Sequence, residues 1–255
     1  MPTMFLQTGP ATQTARATAD AVSRQLVQAF ECGGECFIQT PLMYPGGSTV
    51  VVSISVSGDH LFLSDFGLGF QEAELIGANR HYTRIAPKVG ERYGVHFDHH
   101  AFFVAEVSRS QAAGAVMALA NASKETVDWA ALRYAEKRER DQADALIDRL
   151  LRVFNQRHVH RDAEVRGASS HPWHPTALVE RGERRIIFNQ VRPAAPSVYA
   201  TVSMFHDIAR MSDPMPRVAV APKKRDLGDY ETLLAQAGAV TDLETNDDTF
   251  VRIAA

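Results

Sequence analysis

The chain has 255 residues, 45% of them hydrophobic, a formal net charge of −3 and two cysteines, Cys32 and Cys36. That apolar content fills one large domain or two ordinary ones, two being the expectation, and the cysteine count excludes a disulfide-built fold. No run approaches the roughly 18 uncharged apolar residues of a membrane span, and Met1 to Ala19 lacks a basic start followed by an apolar block. A cytoplasmic protein with no membrane partner is therefore expected.

Charge is unevenly placed. Residues 149–225 carry 14 Lys and Arg against 6 Asp and Glu, whereas residues 226–255 carry 1 against 7. A basic body with an acidic end is compatible with nucleic acid, and equally with self-neutralisation inside the fold.

In chain order, Ala15, Ala19, Val22, Leu26 and Phe30 recur at three- and four-residue spacings, which predicts an amphipathic helix over residues 11–31 stopped by Gly33-Gly34. Three apolar, β-branched or aromatic runs follow, Cys36 to Pro41, Thr49 to Val56 and Leu61 to Asp65, separated by Gly-containing turns, the last ending in polar Ser64-Asp65 before glycines. They read as a strand meander, with Pro41 ending the first strand or placing it at an edge. Short helices are predicted at Gln71 to Gly77 and Tyr82 to Tyr93, the second with Pro87 in its first turn. Val95 to Phe97 and Ala101 to Val107 read as a hairpin about His99-His100, and Ser110 to Asn121 as a small-residue helix.

A long helix is predicted from Lys124 to Asn155, with a charged waist between Arg133 and Asp144 that suits a bridge between two bodies. The domain boundary is placed near Glu139, giving domains 1–138 and 139–255. Beyond it, strands are expected at Val159 to Val165, Thr176 to Glu180 and Arg184 to Val191. A helix at Ser197 to Met211 and a strand at Arg217 to Ala221 follow, then a helix at Asp229 to Ala237 and closing strands at Ala239 to Leu243 and Phe250 to Ile253. The fold class is α+β: an antiparallel meander with helices, then a mixed sheet flanked by helices, joined by a long helix.

Two resemblances attach to these residues. Thr40-Pro41, Asp65-Phe66-Gly67 and Tyr93-Gly94 resemble the short motifs of a bacterial and phage family known as a domain of unknown function. The likeness covers about residues 20–125, and members often carry a second uncharacterised domain, which fits residues 156–255. Members usually have two acids in the turn where this chain has Ser64-Asp65, which argues against metal there. The C-terminal element order is similar to the restriction-endonuclease-like fold, which cuts DNA with an Asp on its second strand and a Glu-x-Lys on its third, the acids holding a divalent metal. Here the second strand, His174 to Glu180, has no Asp and the third, Arg184 to Val191, has no acid. The resemblance therefore implies a degenerate site, with no metal and no cofactor.

Several local constellations have an ordinary structural reading beside a chemical one. Cys32-Gly-Gly-Glu-Cys36 has no second cysteine pair to complete a zinc site and reads as two reduced thiols at a turn. His96, Asp98 and His100 share a strand face that can hold metal, but their place between two apolar runs reads as a solvent-facing hairpin tip. Asp65-Phe66-Gly67 matches the kinase metal-binding tripeptide without its partner motifs, and is better read as a carboxylate receiving the amides of its own turn. His171-Pro-Trp173-His174-Pro is stiff and either forms a binding lip beside Arg184-Arg185 or sets Trp173 as a core plug.

From the sequence we expect a non-catalytic binding or regulatory protein of the sort carried by phages and mobile elements, acting through nucleic acid or a protein partner. Asp65, His171, Trp173, His174, Arg181, Arg184 and Arg185 are its candidate binding residues, with Trp173 stacking on an unpaired base. The competing expectation is a metal-dependent nuclease with displaced acids, Glu180 and Glu183.

Overall fold

The computed structural model describes residues 10–253. Contacts divide the chain between Glu136 and Lys137 into two units. The first begins with α1 (Pro10–Leu26) and a meander of β1 (Gln28–Cys32), β2 (Glu35–Met43), β3 (Thr49–Ser57) and β4 (His60–Ser64). Next come α2 (Leu68–Leu75), α3 (Asn79–Tyr93) and the hairpin β5 (His96–Asp98) and β6 (Ala101–Val107), before α4 (Ala112–Phe154) runs through the division. The sheet is antiparallel throughout, in the order β1-β2-β3-β4-β6-β5. Its core joins alternate strand residues, Val50, Val52, Leu61, Leu63 and Phe102, to Tyr82, Ala86 and Val89 of α3 and to Leu119, Val127 and Ala130 of α4.

The second unit has β7 (Val159–Arg161), a small ribbon of β8 (Val165–Arg166) and β9 (Pro172–Trp173), then β10 (Ala177–Arg181), β11 (Arg184–Gln190) and α5 (Ala195–Ala209). It closes with β12 (Arg217–Ala221), α6 (Tyr230–Ala237), β13 (Ala239–Asp242) and α7 (Asp247–Ile253). Its five-stranded sheet is mixed, β13-β12-β11-β10-β7, antiparallel from β7 to β11 and parallel from β11 to β13. Both faces are covered, as the two-residue period of the strands dictates. Leu178, Ile187, Ala219 and Ala221 face a layer containing Val198, Phe205 and Leu234, while Val179, Ile186, Phe188, Val218 and Val220 face Leu146, Leu150 and Phe250.

Several boundaries depart from the sequence expectation. The helix expected over residues 11–31 stops at Leu26, and Gln28–Cys32 pairs with β2, so Gly33 (φ 61°) and Gly34 (φ 84°) form a hairpin turn rather than a helix cap. Pro41 lies within β2, past the last residue opposite β1 and in the register shift between Gln39 and Met43 opposite β3, a break in the ladder that tolerates its missing N–H. Pro87 lies in the interior of α3, because that helix begins three residues before Tyr82. The two helices expected at Ser110 to Asn121 and Lys124 to Asn155 are one, since Ala122-Ser123 between them contains no breaker. The strand expected at Val159 to Val165 splits into β7 and β8, and β8 pairs with Pro172–Trp173. Phe250 to Ile253 is helical: the side chain of Asn246 accepts the Thr249 amide at 3.0 Å, and Asp247 and Asp248 occupy the first turn.

Among the described residues no helix is long and apolar enough to cross a membrane.

Candidate binding cleft of the second unit

Strand β11 ends, α5 begins, β10 starts and β7 finishes at one end of the mixed sheet, a place set by the register Ala177 opposite Phe188 and Arg161. The parallel β11–α5–β12 connection leaves a crevice beyond the end of β11, the usual ligand position in such sheets. A cleft of about 540 Å³ lies there, lined by Glu139 and Arg140 of α4, Arg161, Trp173 to Thr176, Asn189, Gln190, Arg192 and the first turns of α5.

The floor of the cleft is neutral and self-satisfied. The Asn189 side-chain oxygen accepts the Thr176 amide at 3.2 Å, and its amide group donates to Thr201 Oγ1 at 3.0 Å. Thr176 Oγ1 accepts the Gln190 amide at 2.9 Å, and Gln190 Nε2 donates to Gln142 Oε1 at 2.8 Å. Such a network fixes the side chains of the two central strands without leaving a charge in the floor.

Cations occupy the rim. Arg192 faces Glu139 at 3.2 Å, Arg161 contacts Asp144, and Arg140 and exposed His174 complete the lining. These ion pairs are about half exposed, the class that is weak and readily exchanged for another anion. The buried Nε of Arg192 has no acceptor of its own, although the guanidinium sits beside the opening of α5, where the Arg192 amide donates to Ser197 Oγ at 3.0 Å. A donor left open beside a helix N-terminus suits an anionic ligand.

Trp173 is anchored at one side of this cleft. Its indole N–H donates to Asp207 Oδ2 at 2.7 Å, and the same carboxylate receives the Ser169 hydroxyl at 2.7 Å and the Ser169 amide at 2.9 Å. Those bonds, the indole's first, hold the Asp207 carboxyl below its ordinary value. His171, exposed, stands edge-on to the indole at 4.5 Å. The ring of Trp173 packs on the α5 side of the core while also lining the cleft, at the end of the hairpin away from Arg184-Arg185, so no lip forms beside those arginines.

The remaining candidates lie elsewhere. Arg181, Arg184 and Arg185 sit at the opposite end of the β10–β11 hairpin from Thr176, about 17 Å along the strand at its usual rise. Arg181 Nη1 donates to the Val251 carbonyl of α7 at 3.1 Å, Arg185 lies opposite Glu180, and Glu180 takes His160 at 3.3 Å. Glu183 is exposed in the turn. The two proposed displaced acids thus lie at the hairpin end away from the cleft. The cleft residues Arg140, Arg161, Thr176, Asn189 and Arg192 were not singled out in the sequence; a neutral Asn189 near the end of a buried strand was the available signal.

In the first unit, Asp65 is fully buried. Its Oδ1 accepts the Phe102 amide at 2.8 Å and the Gly67 amide at 3.1 Å, the Gly69 amide also donates to the carboxylate, and Oδ2 accepts the Ser123 hydroxyl at 2.7 Å. Ser123 is bonded in turn to the Tyr44 hydroxyl at 2.8 Å, while the Tyr82 hydroxyl beside them lacks a well-oriented partner. Burial raises the Asp65 carboxyl above its ordinary value against the pull of these donors, and raises both tyrosines. The turn is tight enough to hold Phe66 at φ 55°, a rare conformation for a bulky residue. Asp65 is closed off from ligands by its own donors. At the hairpin tip, His100 stacks on Phe70 at 4.0 Å and His96 lies 5.4 Å from Phe103, so each ring has an aromatic partner. Among the described residues no three His, Cys, Asp or Glu side chains gather as a metal site.

Compared with protein-family models, with curated proteins and with solved structures, the chain matches none.

Proposed function

We propose that this is a non-catalytic nucleic-acid-binding protein whose second unit holds a phosphate-bearing strand in the β11–α5 cleft without cutting it. The observation that carries the reading is the cleft's division of charge, a neutral hydrogen-bonded floor under an arginine rim. In-line phosphodiester hydrolysis with divalent metal needs carboxylates beside the scissile phosphate. Here neutral Thr176 and Asn189 stand at the strand ends that floor the cleft. Rim arginines in exposed pairs supply the phosphate contacts, and Trp173 supplies an aromatic edge.

The setting we infer is cytoplasmic, where the free, exposed Cys32 and Cys36 stay reduced. A phage or mobile element as the source follows from the resemblance at Thr40-Pro41, Asp65-Phe66-Gly67 and Tyr93-Gly94. The nuclease alternative loses its main support because Glu180 is engaged with His160 and neither Glu180 nor Glu183 lines the cleft.

The test is a titration of single- and double-stranded DNA and RNA at low and moderate salt, with product analysis after incubation in magnesium or manganese. Salt-sensitive binding with intact nucleic acid is expected. Metal-dependent cleavage abolished by changing one acid refutes the non-catalytic reading, and absence of binding at low salt refutes the nucleic-acid reading in favour of a protein partner.

A further inference from the structure

The first unit carries a second site of different chemistry. Arg80, Arg84, Lys88 and Arg92 recur at four-residue intervals along α3, so they form one ridge of that helix. Beside the ridge lies a hollow of about 360 Å³ lined by Arg84, Ile85, Lys88, Val89 and Arg92 of α3 and by Glu125, Trp129 and Arg133 of α4. The second triplet is also spaced by four, so two helical ridges flank a floor of Ile85 and Val89. Trp129 is 43% exposed, a large aromatic ring turned to solvent at this point.

The cations of the ridge are not all paired. The single acid of the hollow, Glu125, is fully engaged: it contacts Arg92, accepts the Tyr93 hydroxyl at 2.7 Å and accepts the Trp129 indole N–H at 3.0 Å. Arg133 pairs with Glu136 at 2.9 Å. Arg84 and Lys88, at the centre of the ridge, have no carboxylate partner among the described residues. Like charges four apart on a helix repel, so α3 keeps a row that opposes its own stability. An anionic partner lying along α3 removes that repulsion.

We propose that this groove is a docking site for an acidic amphipathic helix of a partner protein, one that sets carboxylates against Arg84 and Lys88 and inserts an apolar side chain over Ile85, Val89 and Trp129. Both halves of the hollow argue for this occupant. A nucleic-acid backbone satisfies the cations but leaves the aliphatic floor empty, and an uncharged apolar helix covers the floor but leaves the cations unmatched. A helix with acids at four-residue spacing beside an apolar anchor answers both, because its 6 Å repeat equals that of the ridge.

The probe is a fluorescein-labelled helical peptide of about 16 residues, long enough to hold helix, with Glu at i, i+4 and i+8 beside one Phe. Its anisotropy is followed with the full chain at low and moderate salt. Wild type is expected to bind saturably and more weakly as salt rises. The double variant Arg84→Glu, Lys88→Glu should lose about tenfold or more in affinity and gain affinity for a matching peptide with Lys in place of Glu. Folding is not threatened by this reversal, because each new Glu faces Arg80 or Arg92 four residues away; far-UV circular dichroism checks it. Trp129→Ala should weaken the Phe peptide and leave a Phe-to-Ala version of the peptide unchanged. No saturable binding at low salt, or binding indifferent to the charge reversal, overturns the proposal. So does a single-stranded oligonucleotide that displaces the peptide and loses affinity with the same reversal, which assigns the groove to nucleic acid.

Discussion

Removing the Asp65 carboxylate tests the cage at the end of β4. In Asp65→Ala the amides of Phe102, Gly67 and Gly69 and the Ser123 hydroxyl lose their acceptor together. Gly67 is partly exposed and can take water, and Ser123 can turn to Tyr82, leaving the Phe102 and Gly69 amides as buried orphans. At about 1–3 kcal/mol for each buried orphan, and with part returned because a desolvated carboxylate is no longer buried, the net loss is about 3 kcal/mol. Asp65→Asn keeps the acceptor for Phe102 and Gly67 and sets an amide against Gly69, so its loss is nearer about 1 kcal/mol. Because burial raises the folded Asp65 value, the native state binds more protons than the unfolded chain above the ordinary carboxyl value of 3.8. Its contribution is therefore fully present below that value and falls as pH rises through the folded one, a slope that Asp65→Asn should remove. Urea titration in a Trp173→Phe background, where emission comes from Trp129 alone, reads the first unit, and the midpoint should move at constant slope. An Asp65→Ala midpoint equivalent to less than about 0.5 kcal/mol, below the usual worth of one hydrogen bond, refutes the cage as a stabilising element.

Gly69→Ala places a methyl group against the Ser123 hydroxyl, 2.8 Å from the Tyr82 hydroxyl and 3.2 Å from Asp65 Oδ2, so it should destabilise the same unit by about 1–3 kcal/mol in that assay. Asp207→Ala should release residues 167–173, seen as a red-shifted Trp173 emission and faster proteolysis there. In wild type the Asp207 anchor is present above the ordinary carboxyl value and lost as pH falls through its depressed folded value, so the same emission shift should appear in acid. In nucleic-acid titrations, Arg161→Ala and Arg192→Ala should each lower affinity about tenfold and reduce the salt slope by about one, whereas Arg185→Ala at the far hairpin end should do less.

Much of the fold was legible because the strands that matter carry a two-residue period. Leu178 against Ala177 and Val179, or Ile187 against Ile186 and Phe188, can be assigned to two faces from sequence alone. The misassigned elements are those where local pattern and tertiary pairing disagree. Val22, Leu26 and Phe30 continue a helical spacing, yet Phe30 pairs across from Phe37 and stacks on it at 5.4 Å, and that pairing decides its state. Phe250-Val-Arg-Ile253 has strand composition, but the Asn246 cap and two acids before it start a helix. The cleft was illegible for another reason. Arg140, Arg161, Thr176, Asn189 and Arg192 come from four separated stretches, and the register of β7, β10 and β11 brings the last four to one end of the sheet, where Arg140 of α4 also lines the cleft. The ridge of α3 lies at a spacing of four, but helical periodicity is read from apolar positions, here Ile85, Val89 and Tyr93, and a row of cations adds nothing to that signal.

The two units handle the same electrostatic problem differently, and the difference separates structure from function. A carboxylate under a sheet must either be satisfied or be absent, because desolvation outweighs most single interactions. In the first unit Asp65 is retained and enclosed by four donors, which makes it stable where it is and closed to any ligand. In the second unit the floor of the cleft is neutral, Thr176 and Asn189 answering each other across the strands, and charge appears at the rim in half-exposed pairs. On the proposed reading, a rim of that kind gives up its own carboxylates to an incoming phosphate at small cost, while a neutral floor neither repels the phosphate nor recruits a metal to attack it. Exchange at the rim over a fixed floor is what a binding cleft requires, and it is why the arginines of this cleft, rather than the buried acid of the first unit, carry the functional reading.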